Sequence, residues 1–165
     1  MPKQSAGILL YRRVGQEVEV LLVHPGGPFW ARKDAGVWSM PKGEYSDEDG
    51  LEAAKREFRE ELGVDTTYAN YQALGEAKLK SGKIISAWAV EGDLDVSKIK
   101  SNTFEMEWPP RSGSRQEFPE IDKAEWFDLP TAKDKLNPAQ VVFLEELAKQ
   151  LELDIPKAPQ QDSLF

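Results

Sequence analysis

One stretch of this chain has the features of a helix along its length and at both ends. Its apolar residues recur at helical spacing and share one face: Leu51, Ala54, Phe58 and Leu62. Asp49 precedes them as an N-cap with Glu52 at capping-box distance, and Gly63 stands where a left-handed residue ends a helix. The sequence therefore predicts an amphipathic helix over residues 50–62 that packs one face on a core.

The polar face of this predicted helix carries three glutamates, Glu57, Glu60 and Glu61. Positions i, i+3 and i+4 lie on one side of a helix, so these carboxylates are placed to converge. Like charges so placed repel, and a cation between them turns that repulsion into attraction. Carboxylate oxygens suit Mg²⁺, Mn²⁺ or Ca²⁺. The cluster predicts a divalent metal site, and the alternative is a solvated acidic face.

Strand-like runs flank the helix on both sides. They cover residues 5–13, 17–24, 65–80, 83–91, 102–108 and 124–129. The first four predict two hairpins, with turns at residues 14–16 and 81–82. Residues 109–119 are rich in Pro, Gly and Ser, which predicts an irregular segment. A last helix is expected to start at Asn137-Pro138.

Length and composition narrow the class of protein. The chain has 165 residues, 40% of them hydrophobic, and we expect one domain over residues 1–155 and a loose tail over 156–165. The formal charge of −8 disfavours non-specific binding to nucleic acid. No cysteine occurs, which fits a cytoplasmic location. We expect no signal peptide, and no apolar stretch approaches the roughly 20 residues that span a bilayer.

Gly43, Glu48 and the run from Arg56 to Val64 together resemble the signature of the Nudix hydrolases. That signature is a glycine, five residues, a glutamate, seven residues and Arg-Glu, followed by an apolar residue, any residue, Glu-Glu, any residue, glycine and an aliphatic residue. The chain matches it from Glu48 onward, and the departure is at the front, where only four residues separate Gly43 from Glu48. The resemblance implies an α/β fold, an α/β/α sandwich with a central mixed β-sheet.

The resemblance also implies roles for the matched residues. It makes Mg²⁺ or Mn²⁺ the cofactor and gives three glutamates as ligands, one of which also acts on the attacking water: Glu57, Glu60 and Glu61. The Gly43 carbonyl is implied as a further metal ligand, and Glu48 as support for the loop or a metal-bound water. Arg56 is expected to orient Glu57 by a charge-assisted hydrogen bond, with an exposed helix arginine as the alternative.

The residues before the signature indicate the substrate. Residues 38–43 resemble the Trp-x-x-Pro-Lys-Gly entry of the diadenosine polyphosphate and diphosphoinositol polyphosphate hydrolases, which makes Trp38 and Lys42 candidates for substrate binding. The preceding loop adds two cations beside two aromatic rings, namely Arg32 and Lys33 beside Phe29 and Trp30. The cations suit phosphates and the rings suit a base, and the alternative is that the rings pack under the loop.

A further metal ligand or base is expected after the signature, because members of this family often take one from a later strand or loop. The candidates are Glu105, Glu107 and Glu120, and we place Glu120 in the predicted metal set. Arg111 and Arg115 are candidate phosphate contacts, with solvated loop charges as the alternative.

His24 is the only histidine, at the end of a strand-like run. We expect it to be a strand-end or loop residue, and the alternative is a base or phosphate contact. No nucleophile elbow accompanies it, so a Ser-His-Asp arrangement is not predicted.

These observations predict a metal-dependent pyrophosphohydrolase that cleaves a nucleoside diphosphate linked to another group, with dinucleoside polyphosphates preferred. One alternative is a Nudix domain that binds a nucleotide or a partner without turnover. Another is an interaction module whose acidic helix face serves only solubility. We expect a monomer or homodimer that takes a small nucleotide or another diphosphate as its ligand.

Overall fold

The computed structural model describes residues 3–64 and 67–156. Its strands are β1 (Gln4–Val14), β2 (Glu17–Pro25), β3 (Lys42–Tyr45), β4 (Gln72–Lys78), β5 (Ile84–Glu91), β6 (Thr103–Glu107), β7 (Arg115–Pro119) and β8 (Ile121–Asp128). Its α-helices are α1 (Gly50–Leu62), α2 (Leu129–Lys135) and α3 (Val141–Gln150). Of the predicted tail, residues 157–165 lie outside the described residues.

Six of these strands form one mixed sheet in the order β4-β5-β1-β2-β8, with β3 also paired to β1. The β1–β5 pair is parallel and the others are antiparallel. One edge of β1 is shared, because residues 4–7 pair with β3 and residues 11–14 pair with β2. The sheet therefore opens between β2 and β3, and residues 38–41 run through this opening with backbone hydrogen bonds to both sides.

The two faces of the sheet carry separate apolar clusters, as the period-2 alternation of a strand requires. One face packs on α1 through Ala53, Ala54, Phe58 and Leu62, and the other packs on α2 and α3 through Ala132, Phe143, Leu144 and Leu147. The predicted α/β/α sandwich with a central mixed sheet is confirmed. In the part of the chain that the structure describes, no helix is both long and apolar enough to cross a membrane.

Helix α1 begins and ends as the sequence predicts. The Asp49 carboxylate accepts a hydrogen bond from the backbone N–H of Glu52, and Gly63 ends the helix with a φ of 66°. Phe58 is fully buried, and truncating such a side chain to alanine typically costs about 3–5 kcal/mol. This packing fixes the rotation of the helix and therefore the direction of its polar face.

Four segments differ from the sequence predictions. Strand β7 lies in a segment predicted to be irregular, because it pairs with β6 in a two-stranded sheet of its own. Helix α2, capped by Asp128, and strand β3 were not predicted at all. In the run predicted as a strand over 65–80, regular structure covers only Gln72–Lys78 among the described residues. In each case the tertiary pairing or the cap decides the conformation, and the local hydrophobic pattern does not.

Candidate active site

The polar face of α1 points toward the opening between β2 and β3. Phe58 and Leu62 anchor the opposite face in the core, so Glu57 and Glu61 face the start of β3 at Lys42 and Gly43. Glu60 is farther out, with its side chain 52% exposed. The helix thus brings two of its three predicted ligands to the sheet and leaves the third at the surface.

Gly43 and Glu57 are in close contact. A Cβ atom built on Gly43 overlaps the carboxylate of Glu57, so a side chain at residue 43 has no room. The Glu57 side chain is only 17% exposed. Glycine at residue 43 is therefore required by the packing of a carboxylate against the backbone of β3.

Glu61 lies on the other side of this contact. Its Oε2 accepts a hydrogen bond from the backbone N–H of Lys42 at 3.3 Å. Burial raises the pKa of the Glu61 carboxyl to about 8; the nearby Lys42 ammonium opposes this shift, and the charges of Glu57 and Glu120 add to it. Burial likewise lowers the pKa of Lys42. The surroundings of Glu61 thus disfavour an uncompensated negative charge.

A cavity of about 260 Å³ lies beside this carboxylate. Lys42, Glu61 and Glu120 supply its charged groups. Its wall includes apolar side chains from the end of β2, the following loop and the start of β8: Val23, Val37 and Ile121. The cavity therefore joins residues far apart in sequence, and of the three glutamates predicted after the signature, Glu120 is the one that lines it.

Arg56 joins the remaining carboxylates. Its Nε donates to both oxygens of Glu48, at 2.9 and 3.1 Å, and Nη2 donates to Oε1 at 2.5 Å. Its Nη1 donates to Glu57 at 2.8 Å and to Glu60 at 3.2 Å. These bonds raise the pKa of Arg56 and lower that of Glu48. The guanidinium thus ties the loop before α1 to the helix.

The three helix glutamates do not converge on one point in this arrangement. Glu57 and Glu60 bond to Arg56, whereas Glu61 bonds to the backbone of β3. Among residues 3–64 and 67–156, no three acidic or histidine side chains form a compact set for a metal ion. The donors nevertheless fit a hard divalent cation, because all are oxygens and the partly buried Glu61 carboxylate lies close to the charges of Glu57 and Glu120.

The loop between β2 and β3 displays the predicted cations and rings. Arg32 and Lys33 are exposed, and the Phe29 side chain is 60% exposed. Lys33 Nζ lies 4.2 Å from the centre of the Phe29 ring and 5.1 Å from that of Trp30. The Phe29 ring therefore faces solvent and does not pack under the loop.

Trp38 is not placed as a substrate contact, which corrects the sequence prediction. It is 2% exposed, packs on Phe127, and donates from Nε1 to Asp34 Oδ1 at 2.7 Å. Asp34 also bonds to Lys135 at the end of α2. The ring supports the loop from below, and a large aromatic with one polar tip suits such a position.

The β6–β7 hairpin holds the other two candidate glutamates. Glu105 is exposed on it, and Glu107 accepts hydrogen bonds from the backbone N–H groups of Arg111 and Gly113. Glu107 therefore stabilises the hairpin turn. The hairpin itself reaches the loop between β2 and β3, because a Cβ atom on Gly27 would meet the Phe104 ring.

Two aspartates that the sequence pattern does not mark also hold this region: Asp34 within the loop and Asp122 at the start of β8. Asp34 bonds to Trp38 and Lys135, and Asp122 bonds to His24. The spacing of Asp34 and Trp38, four residues apart, is a weak signal for the first. No local signal marks Asp122, because its partner His24 lies 98 residues away in the sequence.

The protein is a small α/β domain with a mixed sheet between helices. Its acidic helix α1 lies beside a cavity lined by Lys42 and by the carboxylates of Glu61 and Glu120. The model of the family described as the NUDIX domain matches residues 1–147, and the chain belongs to that family.

Two solved structures have a similar fold. A crystal structure of a C. elegans Ap4A hydrolase in a binary complex is similar, with a TM-score of 0.64 and 19% identity over 90% of this chain and 98% of that one. The Nudix domain of Shewanella oneidensis NrtR, complexed with ADP ribose, has a TM-score of 0.61 and 16% identity over 92% of this chain and 89% of that one. At these identities the likeness shows the fold.

One relative is longer than this chain. An octanoyltransferase of Myxococcus xanthus is 30% identical over 141 residues, which are 82% of this chain and 33% of the relative. The chain therefore spans about a third of the length of the curated relative that it matches.

Proposed function

We propose that this protein is a divalent-metal-dependent pyrophosphohydrolase of a nucleoside diphosphate linked to another group, with dinucleoside polyphosphates as the preferred class. The observation that carries the proposal is the partly buried Glu61 carboxylate in one cavity with Lys42 and Glu120. Such a group is costly to ionise by itself and is stabilised by a cation. The similar Ap4A hydrolase fold supports the substrate class.

The residues that would hold the cation are Glu57, Glu61 and Glu120, with Glu60 and the Gly43 carbonyl as further oxygen donors. Mg²⁺ or Mn²⁺ bound there supplies neutralisation of the diphosphate and a lowered pKa for the attacking water. Both cations prefer oxygen ligands, and Mg²⁺ characteristically shares its coordination with substrate phosphates. Glu57 keeps its place against Gly43 in this assignment because no side chain intervenes.

Other side chains of the protein would bind the substrate or position the metal ligands. Lys42 faces the cavity and counters phosphate charge at its rim. Arg32 and Lys33 supply exposed cations from the loop, and the Phe29 ring offers a face for a base. Arg56 acts through Glu57, because its guanidinium bonds to that carboxylate and to Glu48. A cytoplasmic location and a monomeric or homodimeric state belong to the same proposal.

The test is turnover on a panel of diadenosine polyphosphates, nucleotide sugars, ADP-ribose and nucleoside triphosphates with Mg²⁺ or Mn²⁺. Glu61→Gln keeps the shape of the side chain and removes its charge, and we expect it to lower kcat by about 100-fold or more. Glu52→Gln is the matched control, because Glu52 lies on the same helix and pairs with Lys55. Equal activity of both variants would contradict the proposal.

A domain that binds a nucleotide without turnover is the second candidate. It is favoured by the bonds from Arg56 to Glu57 and Glu60, which occupy two predicted metal ligands. This candidate predicts saturable binding of ADP-ribose or a diadenosine polyphosphate with no product on any member of the panel. Calorimetry on the same preparations separates the two.

A further inference from the structure

His24 is the only histidine of the chain, and it is buried at the end of β2 with 2% of its surface exposed. Its ring meets Trp38 edge to face, with 5.1 Å between the ring centres. A buried polar ring needs partners for its nitrogen atoms. The partners of His24 therefore indicate what it does.

Both ring nitrogens make short hydrogen bonds. Nε2 donates to the backbone carbonyl of Lys33 at 2.6 Å, since a carbonyl oxygen can only accept, and Nδ1 is hydrogen-bonded to Asp122 Oδ1 at 2.7 Å. His24 thereby links a loop nine residues later in the chain to a strand 98 residues later.

The two linked segments carry parts of the proposed site. Lys33 follows Arg32 in the loop that displays the Phe29 ring, and Asp122 lies two residues after Glu120. Other contacts also hold this loop, since Gly26 N–H donates to the Glu120 carbonyl at 2.8 Å, Gly36 N–H donates to the Asp134 carbonyl at 3.0 Å, and Asp34 bonds to Lys135. The link through His24 holds the loop at Lys33, directly before Asp34, and connects this point to the start of β8.

We propose that His24 is a positioning residue, which holds the substrate loop at residues 25–36 against the start of β8 through its two hydrogen bonds and so sets substrate affinity. The inference rests on the proposed function, because it takes this loop as the substrate loop. It assigns His24 no contact with substrate and no step in bond cleavage. Its removal is expected to act on KM more than on kcat.

Two substitutions test the two hydrogen bonds of His24 separately. The amide nitrogen of glutamine extends as far as Nε2 of histidine, so His24→Gln keeps a donor toward the Lys33 carbonyl. The amide nitrogen of asparagine extends only as far as Nδ1, so His24→Asn keeps a donor toward Asp122 and loses the hydrogen bond to the Lys33 carbonyl. The two variants are therefore matched in chemistry and differ in which segment they hold.

The first readout requires no substrate. Trypsin cleaves after Arg32 and Lys33, and mass spectrometry of the fragments gives the rate at these two bonds. We expect His24→Asn to be cleaved there several-fold faster than the wild type and His24→Gln to stay close to it. Equal rates in all three proteins would overturn the proposal.

The second readout is turnover of the best substrate from the panel. We expect His24→Asn to raise KM by about 10-fold with little change in kcat, and His24→Gln to restore it. A loss confined to kcat overturns the positioning role. Silence of the wild type on the panel, with the trypsin difference intact, counts against the proposed function and leaves the link standing.

If neither variant folds, a measurement on the wild type still tests the link. The chain has a single imidazole, so a long-range ¹H–¹⁵N spectrum of histidine-labelled protein reports His24 alone. A proton on Nε2 is expected, because the Lys33 carbonyl that it faces can only accept. A ring whose Nε2 carries no proton in the folded protein contradicts the link to the loop.

Discussion

Arg56 Nη1 donates to Glu57 Oε1 at 2.8 Å, and the same nitrogen donates to Glu60 Oε2 at 3.2 Å. The side chain that precedes the first helix glutamate thus folds back over it and screens the repulsion between two carboxylates one turn apart. It also holds Glu48, in the loop before the helix. The acidic face of α1 therefore carries an internal counter-ion.

Arg56→Gln is expected to lower the melting temperature in the presence of a chelator. A partly exposed network of this kind contributes about 1 kcal/mol, which corresponds to roughly 2–4 °C for a chain of this size. Added Mg²⁺ should narrow the difference, since a cation replaces the lost guanidinium. Arg59→Gln is the control, because Arg59 lies on the same helix and has no ion pair among the described residues. Equal melting of both variants would count against the network.

Glu120→Gln is expected to lower kcat/KM by about 10–100-fold, because Glu120 lines the cavity with Glu61. Glu105→Gln should leave it unchanged, since Glu105 is exposed on the β6–β7 hairpin. Steady-state kinetics on both variants makes the comparison. A larger loss of kcat/KM in Glu105→Gln than in Glu120→Gln would contradict the assignment of Glu120 to the metal site.

Gly43→Ala is expected to displace the Glu57 carboxylate, because the new Cβ overlaps it. Both turnover and melting temperature should fall. Glu57→Asp shortens the side chain by one methylene and so makes room for the new Cβ. The loss in free energy of unfolding of the double variant should therefore be smaller than the sum of the losses of the two single variants, by about 0.5–3 kcal/mol. Strict additivity in urea denaturation would show that the two residues do not interact.

The fold and the helix were largely predictable from the sequence, because their signals are local. The caps Asp49 and Gly63 and the apolar spacing between them place α1 at residues 50–62, as observed. The β1–β2 hairpin follows from two β-rich runs around a short turn that contains Gly15. Strand β7 was missed because its pairing with β6, rather than its composition, makes it a strand.

The candidate site was predictable only in part, because its cavity joins distant segments. The signature identifies Glu57 and Glu61, whereas the choice of Glu120 over the hairpin glutamates requires the fold. The burial of Trp38 and its bond to Asp34 depend on packing against Phe127, a residue of β8. A motif thus gave the chemical groups, and the tertiary structure decided which of them meet.

Asp34→Asn tests the support beneath the substrate loop through its pH dependence. The hydrogen bond from Lys135, together with that from Trp38, lowers the pKa of Asp34 below its ordinary value. A carboxyl whose pKa is lowered by folding stabilises the fold above its unfolded pKa of about 3.9 and loses that contribution as pH falls through the folded value. At an exposed position the effect is below about 1 kcal/mol. The free energy of unfolding should therefore favour the wild type at pH 7, with the gap closing below pH ~4; a gap that widens in acid contradicts the assignment.

We propose that the cavity beside Glu61 uses a divalent cation to hydrolyse a diphosphate. The most direct test measures turnover of a diadenosine polyphosphate in Mg²⁺, after chelation, and after Mg²⁺ is restored, for the wild type and for Glu61→Gln. We expect chelation to abolish wild-type turnover, added Mg²⁺ to restore it, and the variant to stay at least about 100-fold slower throughout. Turnover that survives chelation, or a variant that matches the wild type, would contradict the proposal.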